Sequence, residues 1–251
     1  MSLIKWESVK DISEEYSYSY WNNIDEEKKK SWWVESPSEI NKLKNYLIIS
    51  GLQEEFEISI KYLKEYNLLK GKVLDVASGV CWTSSELSKF DKISSIDALE
   101  FSYHRINDIA PNVIEGLNGN SEKIRRIFGS FYNIKEQGYD LIFMSQAFHH
   151  SERPFELLSE CNKALNKNGA IILIGEHLIN YKKFIKRIIK MYLKRKKIIT
   201  NFYKLFPPDD ILGDHYYRIS DYYFMFESLG YSVLNFKSNV RNSMIVLAIK
   251  K

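Results

Sequence analysis

Three groups of residues in this 251-residue chain have the types and spacing to do chemistry. The first is Lys72-Val73-Leu74-Asp75-Val76-Ala77-Ser78-Gly79-Val80-Cys81-Trp82, a buried-type strand running straight into a turn of small residues. Such a turn between strand and helix lets a ligand lie against bare backbone. A second strand ends in Glu100, and a carboxylate there can accept two ribose hydroxyls. That is the layout of a nucleoside-cofactor site. The second group is His149-His150, just past a later strand. The third is dispersed: Tyr16, Tyr18, Tyr20 and Trp21 near the start, then Glu176, His177, Asp214-His215-Tyr216-Tyr217-Arg218 and Tyr222.

Elements that would position these residues follow from apolar periodicity. Lys72–Val76, Ile93–Glu100, Tyr139–Ser145 and Ala170–Gly175 read as strands, with a weaker one ending near Phe128. Ser84–Phe90, Tyr103–Ile109 and Pro154–Leu165 read as helices, the last closed by Asn166-Lys167-Asn168-Gly169. Strand and helix therefore alternate, which predicts an α/β fold: a Rossmann-like, doubly wound, mostly parallel sheet with ligands at the carboxyl ends of its strands. Before this core, residues 1–70 read as a helical, aromatic-rich cap. After it, Tyr181–Lys197 reads as a basic amphipathic helix in a lid insertion, 179–218. A helix over Asp221–Leu229 and strands Tyr231–Phe236 and Met244–Ile249 then predict an antiparallel hairpin at the sheet edge. All of this is expected to be one domain, 1–251, whose core is 71–178 and whose last part is 219–251.

Composition narrows the classes. An apolar share of 45% and a charged share of 27% are those of an ordinary soluble globular protein. The net charge of +4 is too small by itself to argue for nucleic acid. Two cysteines, Cys81 and Cys161, form neither a disulfide framework nor a zinc spacing. No apolar run reaches the ~18 residues a membrane span needs, and no secretory leader precedes the chain, so a cytoplasmic location is expected.

Five segments in order resemble the signatures of class I S-adenosylmethionine-dependent methyltransferases. They are Asp75-Val76-Ala77-Ser78-Gly79, the strand end Ala98-Leu99-Glu100-Phe101-Ser102, Tyr139–Ser145 with Gln146-Ala147-Phe148-His149-His150, Glu152-Arg153-Pro154, and the helix and strand leading to Glu176-His177. The resemblance, to methyltransferases of type 11 kind, covers roughly 54–178. It implies S-adenosylmethionine as cofactor and S-adenosylhomocysteine as product. It places Asp75 near the methionine amino group, Ala77 and Gly79 along the cofactor, and Glu100 with Phe101 at the ribose, Asp97 being the second choice for that acid. It further places Ser130 and Phe131 at the adenine and Gln146 beneath the sulfonium. The family's glycine turn is altered here: Ala77 and Cys81 stand where it has glycine, and their Cβ atoms narrow the pocket.

Methyl transfer mainly demands alignment of nucleophile, methyl and sulfur, while a hydroxyl acceptor also benefits from a base. His150 is the expected base or orienter, with His149 second. A metal is not expected, because no carboxylate is evidently spaced to join the histidines. The acceptor pocket is expected between cap and insertion. There the period-two tyrosines, Tyr16, Tyr18 and Tyr20, would form one face of an extended lid or pack as a cap. Glu176, His177, His215, Tyr217 and Arg218 would add polar groups, Arg218 clamping an anionic acceptor or pairing with a surface acid. The resemblance extends to enzymes of cell-surface polysaccharide pathways, so the expected acceptor is a small polar molecule, a sugar or a phosphorylated amino alcohol, methylated on oxygen or nitrogen. Nucleic acid is not expected as a partner. Alternatives are a lipid or quinone acceptor, with 181–197 touching a membrane, and a non-catalytic partner subunit.

Overall fold

Val73, Leu74 and Val76 are completely buried, and a strand buried on both faces belongs in the middle of a parallel sheet. The computed structural model describes residues 2–14, 18–176, 179, 181–194, 196, 201–202, 206, 213–238 and 243–251. Within them one sheet contains β1 (Ile4–Lys5), β2 (Gly71–Val76), β3 (Ile93–Glu100), β4 (Ile124–Phe128), β5 (Tyr139–Ser145), β6 (Leu165–Ile174), β7 (Tyr231–Lys237) and β8 (Met244–Lys250). Their spatial order is β1-β4-β3-β2-β5-β6-β8-β7. Strands β1 to β6 pair in parallel, β8 runs antiparallel to β6, and β7 antiparallel to β8. The fold is thus Rossmann-like and mostly parallel, with an antiparallel C-terminal edge.

Side chains alternate across the sheet. Val73, Phe143 and Ile172 face a layer holding α4 (Ile40–Ser50), α5 (Leu52–Glu65), α6 (Trp82–Leu87) and α7 (Ala110–Gly116). Leu74, Val76, Ile142 and Met144 face α8 (Pro154–Ala164) and α10 (Ile219–Glu227). The chain also forms α1 (Val9–Ile12), α2 (Tyr18–Trp21), α3 (Ile24–Glu27) and the inserted α9 (Tyr181–Leu193).

Several expectations need correction. The first residues are not wholly helical: Ile4 and Lys5 add an edge strand beside β4. The tyrosines do not lie on an extended lid, since Tyr18 and Tyr20 sit on the single turn α2; Tyr16 lies outside the described residues. The helix expected over Tyr103–Ile109 is a π-helical turn, Arg105–Ile109, which continues as α7 with Pro111 in the tolerant first turn. Asn166–Gly169 belong to β6 as a bulge, because Tyr139 pairs with Leu165 while Leu141 pairs with Ala170.

The cap is latched to the core through a buried charge. Glu27, at the end of α3, is 1% exposed and accepts hydrogen bonds from Arg105 Nε at 2.6 Å and from Arg105 Nη2, with His104 Nε2 at 3.2 Å. Arg105 also lies between two cap rings, its Cζ 4.9 Å from the centroid of Trp21 and 5.3 Å from that of Trp32. Ser102 Oγ donates to the Trp21 carbonyl at 3.0 Å, and the Tyr103 N–H donates to Asn22 Oδ1 at 3.2 Å. Every one of these contacts joins the cap to the end of β3.

Burial alone would raise the Glu27 carboxyl, but the His104 and Arg105 hydrogen bonds and the Arg105 charge hold it down at about 2. A depressed carboxyl contributes stability above its unfolded value near 4.5 and loses it as pH falls through its folded value. The shift corresponds to about 3 kcal/mol. In urea titrations, wild type should exceed Glu27→Gln by that order at pH 6 to 7. The difference should shrink below pH 4.5 and vanish toward pH 2; a pH-independent difference would rule out the latch.

Candidate active site

In an open parallel sheet the crevice lies where strand order reverses, here between β2 and β5, and the turn after β2 forms its floor. That turn is left-handed at three alternate residues: Ala77 (φ +50°), Gly79 (φ +56°) and Cys81 (φ +62°). The two residues that replace glycine therefore keep a glycine-type backbone, at a cost of about 1–2 kcal/mol each. Two buried carboxylates hold it. Asp75 Oδ2 accepts the Thr83 and Ser84 hydroxyls, both at 2.5 Å, at the start of α6. Glu100 Oε2 accepts the Gly79 N–H at 2.7 Å, and Oε1 accepts the Ser102 N–H at 2.8 Å. Burial raises the Asp75 carboxyl to about 6, with the two hydroxyls pulling it back. Burial also raises Glu100, against the Arg105 charge and the two N–H donors.

Above this turn lies a cavity of about 360 Å³. Its core side is Ala77, Ser78, Gly79, Glu100, Phe101, Ser130, Phe131, Ser145 and Gln146. Its roof is the cap, which contributes Tyr20, Trp21, Trp32 and Tyr46, with Trp82 from α6. Its far end is His149, His150, Glu152 and Asp214.

The far end is a connected polar network. Glu176, just past β6, is 2% exposed and accepts the N–H groups of Phe148 and His149 at 3.2 and 3.1 Å, with the Tyr222 hydroxyl at 3.0 Å. The same carboxylate lies 3.1 Å from His149 Nδ1, which directs His149 Nε2 toward Asp214 Oδ1 at 3.9 Å. His150 Nδ1 lies 3.0 Å from Asp214 Oδ1, and its ring meets Trp21 edge-on at 4.9 Å. Burial lowers the His150 imidazole below its usual value, Asp214 partly restoring it. Burial would raise Glu176, but the His149 charge and hydrogen bond and the Tyr222 bond hold it down.

Of the residues singled out from sequence, Ala77, Gly79, Glu100, Phe101, Ser130, Phe131, Gln146, Tyr20, His149 and His150 line this one cavity. Asp75 does not; it lies beneath the turn, fully buried. Asp97 is excluded as a ribose ligand. It is buried in mid-strand opposite Arg125, with both oxygens 2.6 Å from that guanidinium and a 2.7 Å bond from the Tyr139 hydroxyl. Tyr18, Glu176, His215, Tyr217 and Arg218 stand outside the lining. Arg218 pairs with Asp221 at 2.7 Å at the head of α10, and Tyr217 packs on Phe148 and Tyr222 in the core. His177 lies outside the described residues.

Sequence reading missed Trp32 and Arg105 as site residues, and it named Asp214 only as one of several polar groups near the strand ends. It also missed that a carboxylate does join the histidines: His149, His150 and Asp214 form a cluster whose ligand-type atoms lie within 4.8 Å of one another. Asp214 reaches it only because the His215 N–H bonds the His149 carbonyl at 2.7 Å, docking the returning insertion.

The fold is that of class I S-adenosylmethionine-dependent methyltransferases. Residues 74–173 match the family described as a methyltransferase domain. The magnesium protoporphyrin IX methyltransferase of Synechocystis PCC 6803, solved with bound S-adenosylhomocysteine, is 15% identical, covers 93% of this chain and 98% of its own, and has a TM-score of 0.63. The YcgJ protein of Bacillus subtilis is 11% identical, with 79% and 99% coverage and a TM-score of 0.57. Likeness at these identities is one of fold. No curated protein matches the sequence.

The residues present fit the cofactor. A Cβ at Gly79 would meet nothing within 4 Å, so the cradle is open there, and the buried Ser145 Oγ on the same wall has no hydrogen-bond partner among the described residues. Gly79→Ala should therefore fold, losing about 1–2 kcal/mol to its positive φ, while its methyl intrudes on the cradle and weakens S-adenosylhomocysteine binding by about tenfold or more. Ala77→Gly should leave binding intact and melt at the wild-type temperature or slightly above. Calorimetry and thermal melts read both; unchanged affinity in Gly79→Ala would place the cofactor elsewhere.

Proposed function

We propose that the chain methylates an amine of a small polar acceptor, such as an amino sugar or amino alcohol, with His150 as the base and Asp214 as its positioning residue. One observation carries the reading: a single cavity joins the Gly79–Glu100 cradle to the His150–Asp214 pair. Bound S-adenosylmethionine would supply an activated methyl on positive sulfur. In this reading Glu100 holds the ribose hydroxyls, Ser130 and Phe131 border the adenine, and Gln146 lines the floor. Asp75 shapes the turn, so any influence on the methionine end passes through the backbone it braces.

An amine is favoured over an anionic acceptor by the charges at the far end. Asp214 and Glu152 are carboxylates, and the histidines beside them are the only basic groups of that end among the described residues. Arg105 is committed to Glu27, and Arg218 to Asp221. A protonated amine would be drawn to this end and must lose its proton before it can attack. His150, kept neutral by burial, can take that proton, and Asp214 stabilises the imidazolium formed. Trp21 and Tyr20 form part of the roof over this end.

His150→Ala should lower turnover about 100-fold or more with S-adenosylhomocysteine affinity little changed. Because the imidazole titrates below its usual 6.5, the acid limb of kcat/KM should lie below pH 6.5. Asp214→Asn removes the carboxylate that raises this value, so the limb should move to still lower pH while turnover falls. Measured pH profiles on a panel of amino sugars and amino alcohols decide this. A His150→Ala enzyme with full turnover, or an Asp214→Asn limb displaced upward, would overturn the assignment.

A further inference from the structure

The inserted segment carries a surface that the methyl-transfer site does not use. Between Glu176 and Asp209 the sequence has ten lysines and arginines and no acid, although the whole chain has 36 basic and 32 acidic residues. The rest of the chain is therefore net negative, and the net positive charge of the whole comes from this one segment.

Helix α9 carries five of these ten cations, Lys182, Lys183, Lys186, Arg187 and Lys190, beside exposed apolar surface. Phe184, Ile188 and Met191 pack on a small separate cluster of Ile179, Phe202 and Phe206. Tyr181, Ile185, Ile189 and Tyr192, at i, i+4, i+8 and i+11, make a second stripe next to it. No described residue covers this stripe: these residues are 83%, 50%, 52% and 69% exposed, and Leu193 is 74% exposed. Lys182, Lys186 and Lys190 each follow a stripe residue and so line its outer flank, all exposed. Long lysine stems can lie along apolar surface while their ammonium groups reach outward.

We infer that α9 docks on an anionic membrane surface, its tyrosine–isoleucine stripe entering the interface and its lysines meeting lipid phosphates. Charge decides among occupants. A second copy of the chain would bring two basic flanks together with no acid on either helix to pair them. An anionic bilayer offers both an apolar layer for the stripe and negative charge for its rim, the combination an in-plane amphipathic helix requires. No helix among the described residues is long and apolar enough to cross a membrane, so the contact is peripheral. The insertion leaves from Glu176 and returns at Asp214, both ends of the His149 network, so docking brings the membrane to the element that completes the cavity's far end.

The test is flotation of the full chain with phosphatidylcholine vesicles, alone or containing about one-third phosphatidylglycerol. Binding should be about tenfold or more stronger to the anionic vesicles and should weaken in about 0.5 M salt. The double variants Ile185→Glu/Ile189→Glu and Lys186→Glu/Lys190→Glu should each lose it by a similar factor. S-adenosylhomocysteine affinity, measured in the same samples, should not move, which keeps this test separate from the methyltransferase reading. Failure of the wild type to float with anionic vesicles would overturn the inference. So would equal binding by both variants, or a dimer in solution that Ile185→Glu/Ile189→Glu dissociates.

Discussion

The structure depends on holding a backbone turn where side chains resist it. Ala77, Gly79 and Cys81 all have positive φ, and without glycine at two of them the local preference opposes the conformation. Two buried carboxylates oppose that preference from opposite sides. Asp75 gathers hydroxyls from α6, and Glu100 gathers N–H groups from the turn and from its own strand end. Each would be costly to bury unpaired. Their hydrogen bonds offset part of that cost only when the turn is formed, so turn, α6 and the end of β3 stand or fall together.

The same logic extends outward to the roof. Glu100 ends β3 on the core side of the cavity, and five residues later Arg105 holds the cap through Glu27, Trp21 and Trp32. The charge of Arg105 also acts on Glu100. Trp21 in turn touches His150. A continuous line of contacts thus runs from the cradle through the roof to the far end of the cavity, and its ionic links are buried rather than exposed to salt.

How legible this was in the sequence differs by element. β2 and its turn were readable because an apolar strand followed by small residues has few other uses. Glu100 was readable only to within three residues. What removes the ambiguity is pairing: Asp97 faces Arg125 across the sheet, and residues three apart on a strand point to opposite faces. The cap was read as helical and aromatic-rich, yet Tyr18, Tyr20 and Trp21 sit on a single turn tied down by Arg105 and Ser102, partners distant in sequence. Asp214 was named but given no role, since it reaches the histidines only across the whole insertion. The loss of two glycines was taken as a narrowing of the pocket. The backbone instead kept its left-handed path, because a fixed path is what the two carboxylates select.

The two histidines show how one local sequence yields two roles. His149 is 1% exposed, and its imidazole is bound to Glu176, which is also held by the backbone of Phe148 and by Tyr222. Moving it would disturb a carboxylate with several other partners, so its place is to fix geometry. His150 stands one residue on, beside Asp214 and an aromatic edge, and faces the cavity. It can gain a proton with a carboxylate waiting and lose it again without breaking the core. Of two adjacent residues with the same side chain, packing makes the first a strut and leaves the second facing the cavity with a carboxylate beside it.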